Sequence, residues 1–259
     1  MKPQLPVVLC LSGHDPTGGA GIQADIETVS RFGCYPCSVL TALTVQDTHN
    51  VRKILPQRSG EFLEQARTVL LDLPVDAVKI GLLGSVDIVY AVDELLKTAG
   101  GIPVVLDPIL AAGGGTNLAN EALIEALIET LIPRATVLTP NSPEARKLTG
   151  MEDLDDCARA LLALGCPNVL LTGTHEGDDE VINRLYRSSG KTTYRWPRLP
   201  GSYHGSGCTL ASAVAALLAR GRDIESAASE AQDFTWQALN NGFRLGGGQL
   251  LPNRRYSAP

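Results

Sequence analysis

The 259-residue sequence has no stretch approaching the roughly 18 apolar residues that a membrane-spanning helix needs. Its opening apolar run, Val7 to Leu11, is too short for a signal-peptide core and runs straight into Gly-His-Asp-Pro. A basic excess is missing too. The net charge of −6 argues against a nucleic-acid partner, although backbone amides and a few cations can still build an anion site locally. No Pro/Ser-rich linker or shift in composition divides the chain, so a single domain over residues 1–259 is expected. A second closely spaced cysteine pair, which a zinc site built on Cys34 and Cys37 would need, is also absent. A redox pair would normally open a helix, but the following "SVLTALTV" reads as a strand, so both are read as structural thiols. Six cysteines without a signal peptide read as reduced thiols in a cytoplasm.

What is present is a rhythm. "PVVLCLS", "CSVLTALTV", "DAVKIGLL", "IPVVLDP", "ATVLTP" and "NVLLTG" read as short buried strands. Between them, helices are expected over residues 22–31, "GEFLEQARTVLLDL", "DIVYAVDELLKTA", "NEALIEALIETLI", "SPEARKLTG" and "DLDDCARALLALG". Residues 180–196 alternate and turn at Ser-Ser-Gly as a hairpin does, and helices near 206–219 and 223–240 follow. This alternation predicts an α/β fold, a mostly parallel central sheet with helices on both faces. Ligands in such sheets bind at the carboxyl ends of the strands. Here those ends carry "SGHDPTGG", "VQDT", "GLLG", "LDPILAAGGG", "TPNSPE" and "TGTHEG".

Two spacings suggest chemistry. In "HGSGC" the glycines let backbone amides turn toward one point in front of the next helix, whose positive end suits an anion. The same letters also suit an ordinary glycine-led helix start. Asn141 and Glu144, three apart, share one face at a helix start, but asparagine there is equally a favoured cap.

"SGHDPTGGAGIQADIETVSRFG", "CSVLTALTVQDT", "DAVKIGLLGS", "VVLDPIL", "TPNSPEARKLTG" and "HGSGCTLASAVAALLARG" occur in that order, from about residue 7 to residue 240. Together they resemble the hydroxymethylpyrimidine and phosphomethylpyrimidine kinases of thiamine biosynthesis, members of the ribokinase-like superfamily. The resemblance implies a ribokinase-like domain that uses ATP and Mg2+ to phosphorylate 4-amino-5-hydroxymethyl-2-methylpyrimidine, and its monophosphate. It implies an anion hole at Gly205, Ser206, Gly207 and Cys208. The Cys208 thiol would stand where related sugar kinases have an aspartate base; the bland alternative is a small buried residue. As a base it must act as thiolate, and a helix N-terminus lowers a thiol's pKa.

The resemblance places the pyrimidine pocket at Gly13, Ala20, Gln46 and Ile109, with Leu83 in its apolar wall. A glutamine amide both donates and accepts, which makes Gln46 the specificity residue. Asn141 and Thr172 fall at the nucleotide, and Glu144, with Asp107 nearby, at the magnesium, held through water as suits that cation. Asp107 could instead be a solvated loop carboxylate. The resemblance further implies a small-molecule substrate, a homodimer, and neither nucleic acid nor membrane as partner.

Some residues depart from the family pattern. Ala112 and Thr172 stand where lysines are usual, and His14 replaces a small hydroxyl residue. Lys79 reads as a strand residue, not as a substitute for the missing lysines. Gln23 and Asp25 carry no role readable from the letters and could face solvent. These departures put the second phosphorylation in doubt. Two other readings stay open: a vitamin B6-type kinase, because the related fold phosphorylates pyridoxal-like alcohols, and a non-catalytic pyrimidine sensor, for which the missing lysines argue.

Overall fold

In strand β1 (Val7–His14), Val7, Leu9 and Leu11 point into one apolar cluster while Val8 and Cys10 point into another. A strand buried on both faces needs helices above and below it. The computed structural model describes residues 5–177 and 179–256 and shows that arrangement.

The strands after β1 are β2 (Tyr35–Gln46), β3 (Val51–Pro56), β4 (Val75–Ile80), β5 (Val104–Leu106), β6 (Val137–Leu138), β7 (Asn168–Leu171), β8 (Glu180–Arg187) and β9 (Gly190–Pro197). They form one sheet in the order β3-β2-β1-β4-β5-β6-β7-β8-β9. The pairings from β2 through β7 are parallel, whereas β3, β8 and β9 join antiparallel at the two edges. One face is covered by α1 (Gly21–Arg31), α7 (Ser206–Ala219) and α8 (Ile224–Asn240). The other carries α2 (Ser59–Asp72), α3 (Val86–Thr98), α4 (Glu121–Ala126), α5 (Ser142–Thr149) and α6 (Leu154–Ala163). Among the described residues, no helix is long and apolar enough to cross a membrane.

The structure adds three things to the expected pattern. "VRKILP" pairs with the end of β2 as an edge strand, although its charged residues hid it from a search for apolar runs. The helix expected over "NEALIEALIETLI" keeps regular winding only to Ala126, then widens over 127–131 and tightens into a last turn containing Pro133, which has no N–H to donate. Residues beyond 240 fold back along the carboxyl edge, where Phe243 bridges Leu251 and Tyr203 bridges Leu250.

Strand order reverses around β1, whose neighbours β2 and β4 leave it in opposite directions. The crevice beyond the carboxyl end of β1 is therefore where a ligand site is expected. Cys34, Cys37 and the other four cysteines are buried free thiols.

Candidate active site

Beyond β1 the chain turns through Asp15–Ala20. The Asp15 carboxylate gathers this loop, accepting from Thr17 N and Ala20 N, each at 2.8 Å, and from the Thr17 hydroxyl. Gly13 lies beneath it; a methyl group there would stand 2.9 Å from Leu82 Cδ2. Leu82 is thus the apolar side chain laid on Gly13. Leu83 is buried in the core and lines a small cavity together with Leu82, Asp107 and Ile109. Ile109 follows Asp107 at the end of β5 and is half-buried. His14 ends β1, with its carbonyl accepting from the Thr44 hydroxyl at 2.8 Å. Gln23 is turned inward, and its Oε1 accepts from Asp15 N at 3.2 Å.

The second wall is the start of α7. Gly205 has φ +85°, a left-handed backbone that glycine adopts without steric cost, and any side chain there would collide with Gly19 O. The two glycine segments therefore touch. No side chain caps α7, so the first-turn amides of Ser206, Gly207 and Cys208 are left without a capping side-chain acceptor, beside Gly19 and Ala20. An anion placed there meets those N–H groups and the positive end of the helix.

Cys208 is 6% exposed, and its sulfur meets the Gly21 N–H and the Asp107 carboxyl. The helix start does not make it acidic. Burial pushes the thiol up to about 12, with the Asp107 and Asp25 charges adding to the rise and Lys79 opposing it. The expectation of a lowered pKa is corrected here. A helix terminus contributes about 0.3–1 kcal/mol, whereas full burial can move a pKa by about 3–5 units.

Asp25 and Lys79 are not surface residues. Lys79 Nζ lies 2.8 Å from Asp25 Oδ1, with both side chains 0% exposed, and it donates to Ser12 Oγ at 3.0 Å. Ser212 of α7 donates to the same Asp25 oxygen at 2.7 Å. This pair joins β4, α1 and α7 beneath the sulfur. Burial pulls Lys79 toward the neutral form, but the charges of Asp25, Cys208 and Asp107 hold its pKa above the ordinary lysine range.

Asn141 and Glu144 form a reciprocal cap on α5. Asn141 accepts from Glu144 N and Glu144 Oε2 accepts from Asn141 N, both at 2.9 Å. Glu144 Oε1 accepts from Leu110 N at 3.3 Å, which ties α5 to the loop after Asp107. Burial, then the Asp107 charge, raises the Glu144 pKa. Burial also raises that of Asp107, whose Oδ2 is enclosed without a hydrogen-bond partner. Asp107 is therefore not a solvated loop carboxylate. Two adjacent buried carboxylates, one with an unpartnered oxygen, suit a divalent cation completed by water and phosphate oxygens. Thr172 follows β7, bridged to Asn141, and helps line a cavity of about 530 Å³ that also reaches Trp196, Ser206, Gly207 and Trp236.

Three further residues at the site have roles that the sequence reading did not assign. Arg254, 2% exposed, donates from Nε to Thr209 Oγ1 at 2.9 Å and from its other nitrogens to Gly18 O and Gly19 O, bracing the glycine loop against α7. Lys79 is the second and His204 the third. His204 Nε2 lies 2.8 Å from Asp15 Oδ2 and 3.2 Å from the Gln46 side-chain amide.

The sequence profile of the family "Phosphomethylpyrimidine kinase" matches residues 15–253. The chain is 40% identical over 249 residues to the hydroxymethylpyrimidine/phosphomethylpyrimidine kinase of Streptomyces coelicolor, covering 94% of this chain and 92% of that protein. It is 39% identical over 247 residues to the thiamine biosynthesis bifunctional protein ThiED of Geobacter sulfurreducens, covering 93% of this chain but spanning only 50% of that longer protein. Among solved structures, pyridoxal kinase of Bacillus subtilis as an ADP complex superposes with a TM-score of 0.89 at 30% identity, covering 97% of this chain and 98% of that one. Phosphomethylpyrimidine kinase of Clostridium difficile gives 0.78 at 34% identity, covering 90% and 98%.

Proposed function

The chain belongs to the phosphomethylpyrimidine kinase family, and from that premise we propose that it transfers the γ-phosphoryl group of ATP to the hydroxymethyl oxygen of 4-amino-5-hydroxymethyl-2-methylpyrimidine. Its monophosphate is a poorer second acceptor. One observation carries this reading: the uncapped start of α7 holds Cys208 against Asp107 and the Gly21 N–H, while its neighbours Ser206 and Gly207 line a cavity large enough for a nucleotide.

The amides at Gly205–Cys208 receive the charge that spreads over the transferred group, which is the larger part of phosphoryl-transfer catalysis. Cys208, in its thiolate form, takes the hydroxyl proton. Asp107, and Glu144 through water, would hold Mg2+, which when bound neutralises phosphate charge. Glu144 also keeps Asn141 and the Leu110 loop in place. Thr172 lines the nucleotide cavity together with Trp196 and Trp236, and Asn141 is bridged to Thr172 beside it.

The same reading makes the protein a cytoplasmic homodimer. The half-exposed apolar side chains Leu43 and Val45 of β2 and Leu55 of β3, on the hairpin at the sheet edge, supply a surface for a second copy. A vitamin B6-type kinase is the second reading, supported by the higher superposition on pyridoxal kinase. The sensor reading fares worse, because the nest, the buried thiol and the carboxylate pair are all assembled.

The missing lysines set the test. Thr172 borders the nucleotide cavity, while the loop holding Ala112 packs against Asn50 and Gln249. A phosphorylated acceptor adds an anion to a water-poor cleft where repulsion is poorly screened. Initial rates of ADP release should therefore favour the aminopyrimidine alcohol over its monophosphate and over pyridoxine-type alcohols. Thr172→Lys should narrow the alcohol-to-monophosphate gap about fivefold, the effect of roughly 1 kcal/mol. Equal efficiency on both acceptors, with no response to the lysine, would show that charge at 172 is irrelevant. A preference for pyridoxine would favour the second reading, and no ADP release with any acceptor the sensor.

A further inference from the structure

His204 stands where three segments of the site meet. Its backbone N–H donates to Leu250 O at 2.9 Å, and its ring lies on Gly19, where an added methyl would be 2.6 Å from Cδ2. Its Nε2 is shared between Asp15 Oδ2 at 2.8 Å and the Gln46 amide at 3.2 Å. The hydrogen-bond partners of the Asp15 carboxylate from the glycine loop, Thr17 N, the Thr17 hydroxyl and Ala20 N, all donate to it. Burial works against the Asp15 charge, but the hydrogen bond to His204, the His204 charge and the Thr17 donors hold its pKa below the usual carboxylate value.

An ionised carboxylate only accepts, so Nε2 must carry a hydrogen and donate it. A ring nitrogen that donates has no lone pair left for the Gln46 NH2 group. Gln46 can share that one hydrogen only through its carbonyl oxygen, as the second acceptor of a bifurcated bond, and a half-turn of the amide makes that exchange.

We infer that His204 is a specificity-determining positioning residue: it holds the oxygen of Gln46 and thereby turns the NH2 group toward the acceptor alcohol. This rests on the proposed function, in which Gln46 reads the aminopyrimidine edge. A carboxamide fixed this way offers a donor to a ring nitrogen, while its oxygen, which has two lone pairs, still accepts from the exocyclic amine. That pattern matches an aminopyrimidine and not a ring lacking the amine. The buried Asp15 carboxylate thus sets the polarity of recognition through the histidine ring, at the same place where the glycine loop meets the anion nest.

The test measures kcat/KM for the aminopyrimidine alcohol and for its 4-deamino analogue, with KM for ATP and thermal melting alongside. In His204→Phe, which keeps a ring on Gly19 but removes the N–H, preference for the amino compound should fall about tenfold or more, as expected when a polar recognition group loses its fixed partner. KM for ATP should change less than about threefold, a shift below roughly 1 kcal/mol. His204→Gln, which returns an N–H near the same place, should restore most of the preference. Gln46→Glu gives an independent reading that does not depend on the Phe variant folding. One oxygen stays with His204 and the other faces the ring nitrogen, so efficiency on the amino compound should fall at least tenfold. An unchanged preference in a folded His204→Phe, or full efficiency in Gln46→Glu, overturns the inference while leaving the kinase reading intact. Wild-type protein inert toward the aminopyrimidine alcohol overturns both.

Discussion

Cys208→Ala should lower turnover on the aminopyrimidine alcohol by about a hundredfold to ten-thousandfold, the usual range for losing a general base, while acceptor affinity stays near wild type. Cys208 is 6% exposed and its sulfur lies against the Gly21 N–H and Asp107, so removing the sulfur leaves the walls of the pocket in place. Because burial pushes the thiol up to about 12, the sulfur is almost wholly protonated at rest near neutral pH. The reactive thiolate fraction then grows with each unit of alkalinity. Wild-type kcat should rise with pH through the neutral and mildly alkaline range without a plateau near 7, and the alanine variant should lose that slope. Steady-state kinetics on both proteins across pH decide it. A variant keeping more than about a third of wild-type turnover would remove the thiol from the chemistry.

Lys79→Met should destabilise the fold by about 3–5 kcal/mol, because it leaves the Asp25 charge buried without its partner. Lys79 and Asp25 are both 0% exposed, and the lost bonds include those to Asp25 and Ser12. In a domain of this size the loss should lower the melting temperature by roughly 10 °C. Asp25→Leu added to Lys79→Met should recover much of it, since an apolar pair can replace a buried ion pair at little cost. The pH sense follows from the raised Lys79 pKa. Its contribution is fully present below the ordinary lysine value and is lost only as pH rises through the higher folded value, so acidification to pH 6 should not mimic the mutation. Thermal or urea melts of the single and double variants check this. A single variant melting within about 1 °C of wild type would mean that the pair contributes almost nothing.

The order of strands and helices was legible because most of these elements are apolar segments with a clear period, bounded by glycine and proline. β5 shows its two-faced burial as an unbroken Val-Val-Leu run, and β1 and β4 show theirs as mostly apolar letters. The anion nest was legible because positive-φ positions such as Gly205 leave glycines in the letters. Polar residues inside the fold were not legible. Asp25 and Lys79 sit on separate elements, and nothing in the letters pairs them until the sheet and α1 bring them together. Arg254 lies in a stretch without periodicity, and only its tertiary contacts explain its burial. The sign of the Cys208 shift was also out of reach, since a helix start is visible in letters and the depth of burial is not. Arg254 adds a buried cation near Cys208 that a count of the lysines missing at 112 and 172 left out, whereas Lys79 is committed to Asp25.

The central claim is that this chain phosphorylates the hydroxymethyl group of an aminopyrimidine. A single-turnover experiment tests it most directly: excess protein, γ-labelled ATP, magnesium and 4-amino-5-hydroxymethyl-2-methylpyrimidine, with the label followed by chromatography and mass spectrometry. The account predicts stoichiometric label on the hydroxymethyl oxygen of the pyrimidine, with transfer strongly slowed in Cys208→Ala. Label that stays in ATP, or appears only on a pyridoxine-type alcohol supplied in parallel, would contradict it.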